Sequence, residues 1–284
     1  MNANALAPAI TRHYQINMPQ MALGGLSEAW LFREIGDIHW SMISAGLGAV
    51  SSALADANGD RLYATFTRLR IESTAPLLAF EENDEVNATG KIVRFGGGVF
   101  FGDVNFGNAA RNIEATLMSS FTKRERDDSN LSLLKGQPVI PADSPVAVVS
   151  ELPAFAQEYR TVRAEPVGET LFETEYEIMP FHDINGVGLL YFAAYPTIND
   201  LCEARHFGGP AAWCMESSTI SRDVHYYGNC DLNDRIIYRL HHVGDAGGRI
   251  ALTSSLTRAS DGVMIARLIT TKAVGLRDVA RTAA

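Results

Sequence analysis

Twice along this chain a helical period gives way to a series of long alternating segments, and that order of elements restricts the fold more than any other feature. The first helical stretch covers residues 27–46, where Leu31, Ile35, Ile38, Met42 and Ala45 recur at spacings of four, three, four and three. Such spacing predicts a helix with one apolar stripe. Ser27 is placed to cap its free amides, Glu28 suits the positive end of the dipole, and Gly46 and Gly48 end it. The period then changes to two. Leu62, Ala64 and Phe66 alternate with Tyr63, Thr65 and Thr67 before the parity swaps at Leu69 and Ile71. Three further strand-like runs follow at 86–95, 99–106 and 113–123, with Gly96-Gly97-Gly98 and Gly107-Asn108 supplying turns.

Residues 124–153 change character. The charged run Arg124-Glu125-Arg126-Asp127-Asp128 precedes Pro138, Pro141, Pro145 and Pro153 among polar residues, which predicts a linker. Beyond it Phe172, Thr174, Tyr176 and Ile178 alternate with Glu173, Glu175 and Glu177, a strand with one wet face. A second helical segment is expected at 199–207, after Pro196 and with Thr197 as its cap and Asp200 three residues on. Strands resume at 220–227, 235–243, 249–258 and 262–272. Asn83-Asp84-Glu85-Val86 precedes the last three strands of the first series, and Asn233-Asp234-Arg235-Ile236 stands at the same place in the second. The halves divide at 1–145 and 146–284. One helix wrapped by a long antiparallel meander, occurring twice, is an α+β pattern that resembles a double hotdog fold, two fused helix-wrapped sheets joined edge to edge, although the element order alone also allows other α+β layers. Joined halves make further pairing optional, so a homodimer is possible but not required.

Composition narrows the function classes. The chain has 24 Lys+Arg and 33 Asp+Glu, a net charge of −9, with 46% hydrophobic residues, ample for a core in each half. It has no run of Lys or Arg, which argues against a surface that tracks nucleic-acid phosphates. No apolar run approaches the ~20 residues that span a bilayer. Residues 1–10 have neither a basic segment nor a long apolar one, so the expectation is a cytoplasmic protein with no membrane partner. Three cysteines, Cys202, Cys214 and Cys230, fit reduced thiols rather than a disulfide framework. Cys202 and His206 are four apart, a spacing suited to zinc, but neither CxxC nor HxxxH occurs, and no metal is expected.

Two resemblances bear on function. In the second half Asp183-Ile184-Asn185-Gly186-Val187, Tyr191-Phe192, Tyr195 and Glu203-Ala204-Arg205 resemble the acyl-CoA thioesterase pattern of hotdog proteins. In that pattern an Asp and a Gly-His-Val-Asn segment lead into a helix bearing Tyr-Phe and Glu-Ala-Arg. Here Gly186 is followed directly by Val187, so the histidine is absent, and Gly188 and Leu189 stand where amide side chains are usual. In the first half the segment from Met18 to Leu31, then Glu34-Ile35-Gly36-Asp37-Ile38-His39-Trp40 and Arg61-Leu62-Tyr63-Ala64-Thr65-Phe66, resemble the LnmK-type double-hotdog acyltransferase/decarboxylases of polyketide biosynthesis. That resemblance implies an enzyme that decarboxylates methylmalonyl-CoA and delivers a propionyl group to an acyl carrier protein. Coenzyme A then arrives as the substrate thioester, with no resident cofactor. The tyrosine proposed to carry the acyl group matches Tyr63 by its strand context. Ser27, Asp183 and Asn185 are the other catalytic candidates, and Gly24, Gly25, Leu26, Gly186 and His225 the substrate-binding ones.

Loss of CO₂ from a malonyl-type thioester builds negative charge on the thioester oxygen, so a site needs donors aimed at that enolate and a dry place for the carboxylate. Free amides at the start of the first helix suit this, and Gly24-Gly25 would let a ligand approach the backbone. The same residues also serve as an ordinary turn and cap. A strand tyrosine is a weak nucleophile until a base or a field activates it. His225, within Asp223-Val224-His225-Tyr226-Tyr227, is either a base, a coenzyme A contact or cross-strand packing. Asp183 and Asn185 either hold substrate or water, or shape a turn. Gly25-Leu26-Ser27-Glu28-Ala29 is one residue short of a Gly-x-Ser-x-Gly nucleophile elbow but lacks its alternating βα context. Gly96 to Gly98 are followed by neither a Lys-Ser/Thr pair nor a helix, so they form no phosphate loop. The competing functions are a thioesterase or dehydratase of the same fold, and a non-catalytic docking module for acyl carrier protein or acyl-CoA.

Overall fold

The computed structural model describes residues 9–23, 25–126, 129–245 and 247–275. Strands β1 (Ala9–Gln15), β2 (Met21–Ala22) and β3 (Gly25–Leu26) lead into helix α1 (Glu28–Leu47), which is followed by β4 (Tyr63–Ser73), β5 (Glu85–Phe95), β6 (Val99–Gly107) and β7 (Asn112–Arg124). Then come β8 (Leu133–Gly136), β9 (Ala147–Val149), α2 (Ala154–Ala164), β10 (Phe172–Glu177), α3 (Pro180–Asp183), α4 (Ala194–His206) and α5 (Pro210–Glu216). The chain ends in β11 (Ser217–Tyr226), β12 (Arg235–Asp245), β13 (Arg249–Arg258) and β14 (Met264–Val274). Strands β2 and β3 form a small hairpin, and the others make one twelve-stranded sheet with the path β1-β5-β6-β7-β4-β11-β14-β13-β12-β10.

That path reads the same from both ends. The series β1-β5-β6-β7-β4 and the series β10-β12-β13-β14-β11 have matching order, and they meet where β4 pairs antiparallel with β11, from Glu72 opposite Ser221 to Arg68 opposite His225. Each half wraps its own helix. Leu31, Phe32, Ile35, Ile38, Met42 and Ile43 of α1 are fully buried against inward positions such as Val86, Ala88 and Ile92 of β5. Full burial of side chains of this size contributes ~1.5–3 kcal/mol each, which is what holds a 3.6-residue stripe on an alternating sheet. In the second half Ile198 and Cys202 of α4 pack on a core that includes Ile236, Tyr238 and Leu240 of β12. The α+β double hotdog expected from the repeated order is therefore the observed fold, with its sheets joined edge to edge within one chain.

Local differences have physical reasons. Gly46 lies inside α1, and Gly48 ends it in the left-handed region at φ 63°. Helix α4 begins at Ala194, with Pro196 inside its first turn, where a missing N–H removes no hydrogen bond. Thr197 is not its cap, since its hydroxyl donates to the Ala193 carbonyl. The segment expected to be a linker packs on the sheet through β8, which pairs with β7, and β9, which runs parallel to β5; Asp127 and Asp128 of its charged run lie outside the described residues. Helix α2 crosses the seam between the halves. Beneath it the Arg68 guanidinium meets both carboxylate oxygens of Asp223 at 2.9 and 2.6 Å and donates to the Phe155 carbonyl at 2.7 Å. Among the described residues no helix is long and apolar enough to cross a membrane.

Candidate active site

Two hairpins, each just ahead of a central helix, shape the clefts of this molecule. In the first, Ala22 pairs with Gly25; in the second, Ile184 pairs with Leu190. Each contains a left-handed glycine, Gly25 at φ 101° and Gly188 at φ 79°. Each hairpin reaches across to the helix and strand of the opposite half, so the cleft beside each central helix draws on both halves.

The cleft beside α1 has a volume of about 540 Å³ and is bounded by Asp37 and Trp40 of α1, by Arg61, Tyr63 and Ala64, and by Asn185, Gly186 and Leu189 of the second hairpin. It continues inward to a chamber of about 220 Å³ walled by Phe66, Tyr191, Phe192 and Tyr226. Gly36 permits this arrangement, because a Cβ there would stand 2.2 Å from the tip of the Phe192 ring. The Phe66 and Phe192 rings then pack at 4.4 Å between centroids and line an apolar interior.

Two cations lie over the Tyr63 ring. The Arg61 guanidinium carbon is 5.2 Å from its ring centroid and that of Arg124 is 5.5 Å away, both in cation–π range. Arg124 is held by Asn130 Oδ1, at 3.1 and 3.0 Å from Nε and Nη2, and by the Val187 carbonyl of the hairpin. Among the described residues neither guanidinium has a carboxylate within 4.0 Å. The result is a positive potential at the cleft, which favours an anionic group or a developing oxyanion. Asn185 supplies the neutral counterpart. Its Oδ1 accepts from the amides of Val187 at 3.1 Å and Leu189 at 3.0 Å, which fixes the hairpin, and its Nδ2 is a donor on a residue that lines the same cleft as Tyr63.

The other candidates divide. Asp183 lines neither cleft: it is fully buried and its carboxylate accepts from Tyr176 Oη at 2.9 Å and the Met179 amide at 2.8 Å, with His182 Nδ1 at 2.8 Å. It braces the base of the second hairpin, and together with burial it pushes the Tyr176 phenol well above its usual range. Leu26 and Ser27 line a different cleft, beside α4, and Ser27 Oγ accepts from the Trp30 amide at 3.3 Å as the cap of α1. Gly25 shapes the hairpin, since a Cβ there would fall 2.3 Å from Leu78 Cα; Gly24 lies outside the described residues. His225 is fully buried under α2, stacked on Tyr159 at 5.8 Å between centroids and 3.4 Å from Asp223 Oδ1, where packing excludes a ligand. Of the residues singled out from the sequence, Tyr63, Asn185 and Gly186 are gathered in the cleft beside α1, and Leu26 and Ser27 in the one beside α4. Arg61 stood within the quoted Arg61-Leu62-Tyr63 motif. Arg124 carried no signal, because it opened the charged run read as a linker. Cys202, weighed as a zinc ligand, is fully buried, and burial pushes its thiol up to about 11; among the described residues no three His, Cys, Asp or Glu side chains gather as a metal site would need.

No protein-family model and no curated protein matches the chain. Solved structures do. A Lactobacillus plantarum protein assigned as an oleoyl thioesterase is similar over 95% of this chain and 97% of its own, with a TM-score of 0.69 at 13% identity. The 12:0-ACP thioesterase from Umbellularia californica covers 94% of each chain at a TM-score of 0.61 and 12% identity. An acyl-ACP thioesterase from Bacteroides thetaiotaomicron gives 0.60 at 9% identity, over 93% of this chain and 97% of its own. At such identities the likeness establishes the fold over nearly the whole length: this chain is a double hotdog.

Proposed function

We propose that the chain is an enzyme acting on acyl thioesters in the Tyr63 cleft, and that it decarboxylates a malonyl-type acyl-CoA and passes the remaining acyl group to an acyl carrier protein. The observation that carries this reading is Tyr63 set against two guanidiniums that have no carboxylate partner among the described residues, with Asn185 lining the same cleft. A substrate carboxylate is drawn in by that potential and loses water against Trp40, Phe66 and Phe192, which favours loss of CO₂. The enolate oxygen left behind takes a hydrogen bond from Asn185 Nδ2, and a solvent proton adds to the carbon that lost CO₂. The Tyr63 oxygen then attacks the thioester carbonyl, coenzyme A departs as the thiol with the phenolic proton, and a tyrosyl ester forms. The carrier thiol attacks that ester and restores the phenol.

Hydrolysis is the second reading, favoured by the thioesterase names of the similar structures. General-base hydrolysis calls for a free base near the carbonyl. Among the described residues lining this cleft there is no histidine, and its one carboxylate, Asp37, is paired with Arg12 at 2.8 Å. Incubating the protein with methylmalonyl-CoA, with and without carrier protein, separates the readings. The expected result is CO₂ release and propionyl-carrier by intact mass, abolished in Tyr63→Phe, which keeps the ring and its packing. Free acid and coenzyme A formed without carrier would establish hydrolysis instead. A folded protein giving neither product would overturn both.

A further inference from the structure

The cleft beside α4 is the counterpart of the Tyr63 cleft, and nothing in the proposed reaction uses it. It has a volume of about 480 Å³, within the range of small-ligand sites. Its construction is equivalent: central helix α4, the start of β11, and the β2–β3 hairpin from the opposite half. A chain that enters the Tyr63 cleft along α1 therefore has a matching route here along α4.

The two clefts differ in charge. Leu26, Leu77, Leu201, Ala204 and Trp213 give this one apolar walls. Its floor is an ion network in which every charge has a partner. Arg222, fully buried, bonds Glu28 at 2.7 Å and Asp200 at 2.7 Å, while Lys272 bonds Asp200 at 2.9 Å and Glu203 at 2.7 Å. Thr219 Oγ1 donates to Glu28 at 2.6 Å, and Trp213 Nε1 to Glu203 at 2.7 Å. Three carboxylates stand against two cations, the reverse of the Tyr63 cleft, where among the described residues neither guanidinium has a carboxylate partner. An anionic acyl group meets net negative charge here, and no cation can be recruited to it without breaking a buried pair. A hydrocarbon chain meets leucine and tryptophan and disturbs no ion pair.

We infer that the α4 cleft is a second binding site, for the aliphatic chain of a neutral acyl thioester, so that the molecule sorts acyl groups by charge between its two clefts. The inference rests on the acyl-thioester reading of the chain but not on chemistry at Tyr63. Cys214 lines this cleft and is partly exposed, whereas Cys202 and Cys230 are fully buried, which makes Cys214 a reporter in the unmodified protein.

The test follows alkylation of Cys214 by N-ethylmaleimide, read by peptide mass spectrometry, with decanoyl-CoA as the probe and its binding measured by calorimetry. Saturating decanoyl-CoA should slow alkylation at least tenfold, while coenzyme A alone and methylmalonyl-CoA leave it unchanged. Tyr63→Phe should retain the protection. Ala204→Phe, which fills the cleft, should weaken decanoyl-CoA binding at least tenfold without altering turnover of methylmalonyl-CoA. Unchanged alkylation at saturation, equal protection by coenzyme A alone, or no binding of decanoyl-CoA would overturn the inference. Protection of Cys214 in a protein that never processes methylmalonyl-CoA would reject the decarboxylase reading and leave this site standing.

Discussion

His39 shows how much one side chain on a buried stripe can decide. It faces the sheet from α1, fully buried, with Nε2 2.8 Å from Ser119 Oγ and Nδ1 in van der Waals reach of Gly102, where an added Cβ would stand 2.3 Å away. Burial lowers its pKa to about 3, so the native state holds the ring neutral. The unfolded ring titrates near 6.5, so this contribution is complete above about pH 6.5 and is lost as the pH falls toward 3. Urea denaturation at pH 7.5 and 5.5 should show stability falling by about 1.4 kcal/mol per pH unit below 6.5, and His39→Gln should flatten that slope. At this scale a local motif was enough to single out Tyr63 and Asn185, which line one cleft. The sequence was silent where a contact joins distant segments. Arg124 reaches Tyr63 only because β7 lies beside β4, with Tyr63 opposite Thr122, and no local pattern reports that register.

Helix α2 is the element whose importance exceeds its sequence signal. It buries only Phe155 and Ala156, so its apolar stripe is too narrow to register as a period, yet it covers the place where the halves meet. Arg68 is 3% exposed beneath it and bonds Asp223 from the facing strand and Glu158 from α2 itself. Burial alone would raise the Asp223 carboxyl, but Arg68 and His225 outweigh it and hold it below the usual carboxylate range. Asp223→Asn should cost about 1.5–3 kcal/mol in urea denaturation, since it removes the two-point ion pair and leaves the guanidinium with only Glu158 and the Phe155 carbonyl, whereas the double change Arg68→Met with Asp223→Leu should recover much of that loss. The long strands were legible within a few residues because alternation over nine or more positions has no helical alternative. Short β8 and β9 offered no such length. The start of α4 was displaced because Pro196 and Thr197 resemble a helix entry, although the preceding two residues already have helical conformation.

At the scale of the whole molecule, the main path of the sheet ends at β1 and β10, whose outer edges have no partner strand among the described residues and invite pairing with another chain. On β10 Glu173 and Glu175 point outward, tied to Arg239 at 2.6 Å and Arg235 at 2.9 Å of β12. Exposed ion pairs of this kind add little stability, but charge on an edge opposes edge-to-edge growth. Glu173→Val with Glu175→Val should therefore leave the melting temperature nearly unchanged while light scattering reports concentration-dependent association.

Because each hairpin crosses to the opposite helix, neither cleft belongs to one half. In a symmetric pair of separate identical chains, any substitution that alters one cleft is copied into the other, and both must keep the same chemistry. A covalently continuous chain escapes that constraint. Here one cleft holds a tyrosine against two arginines with no carboxylate partner among the described residues, and the other a closed network of five charges, on halves that keep the same strand order. Fusion thus separates the inheritance of the scaffold from that of the sites: the shared sheet keeps both clefts in shape while each accumulates substitutions the other never receives.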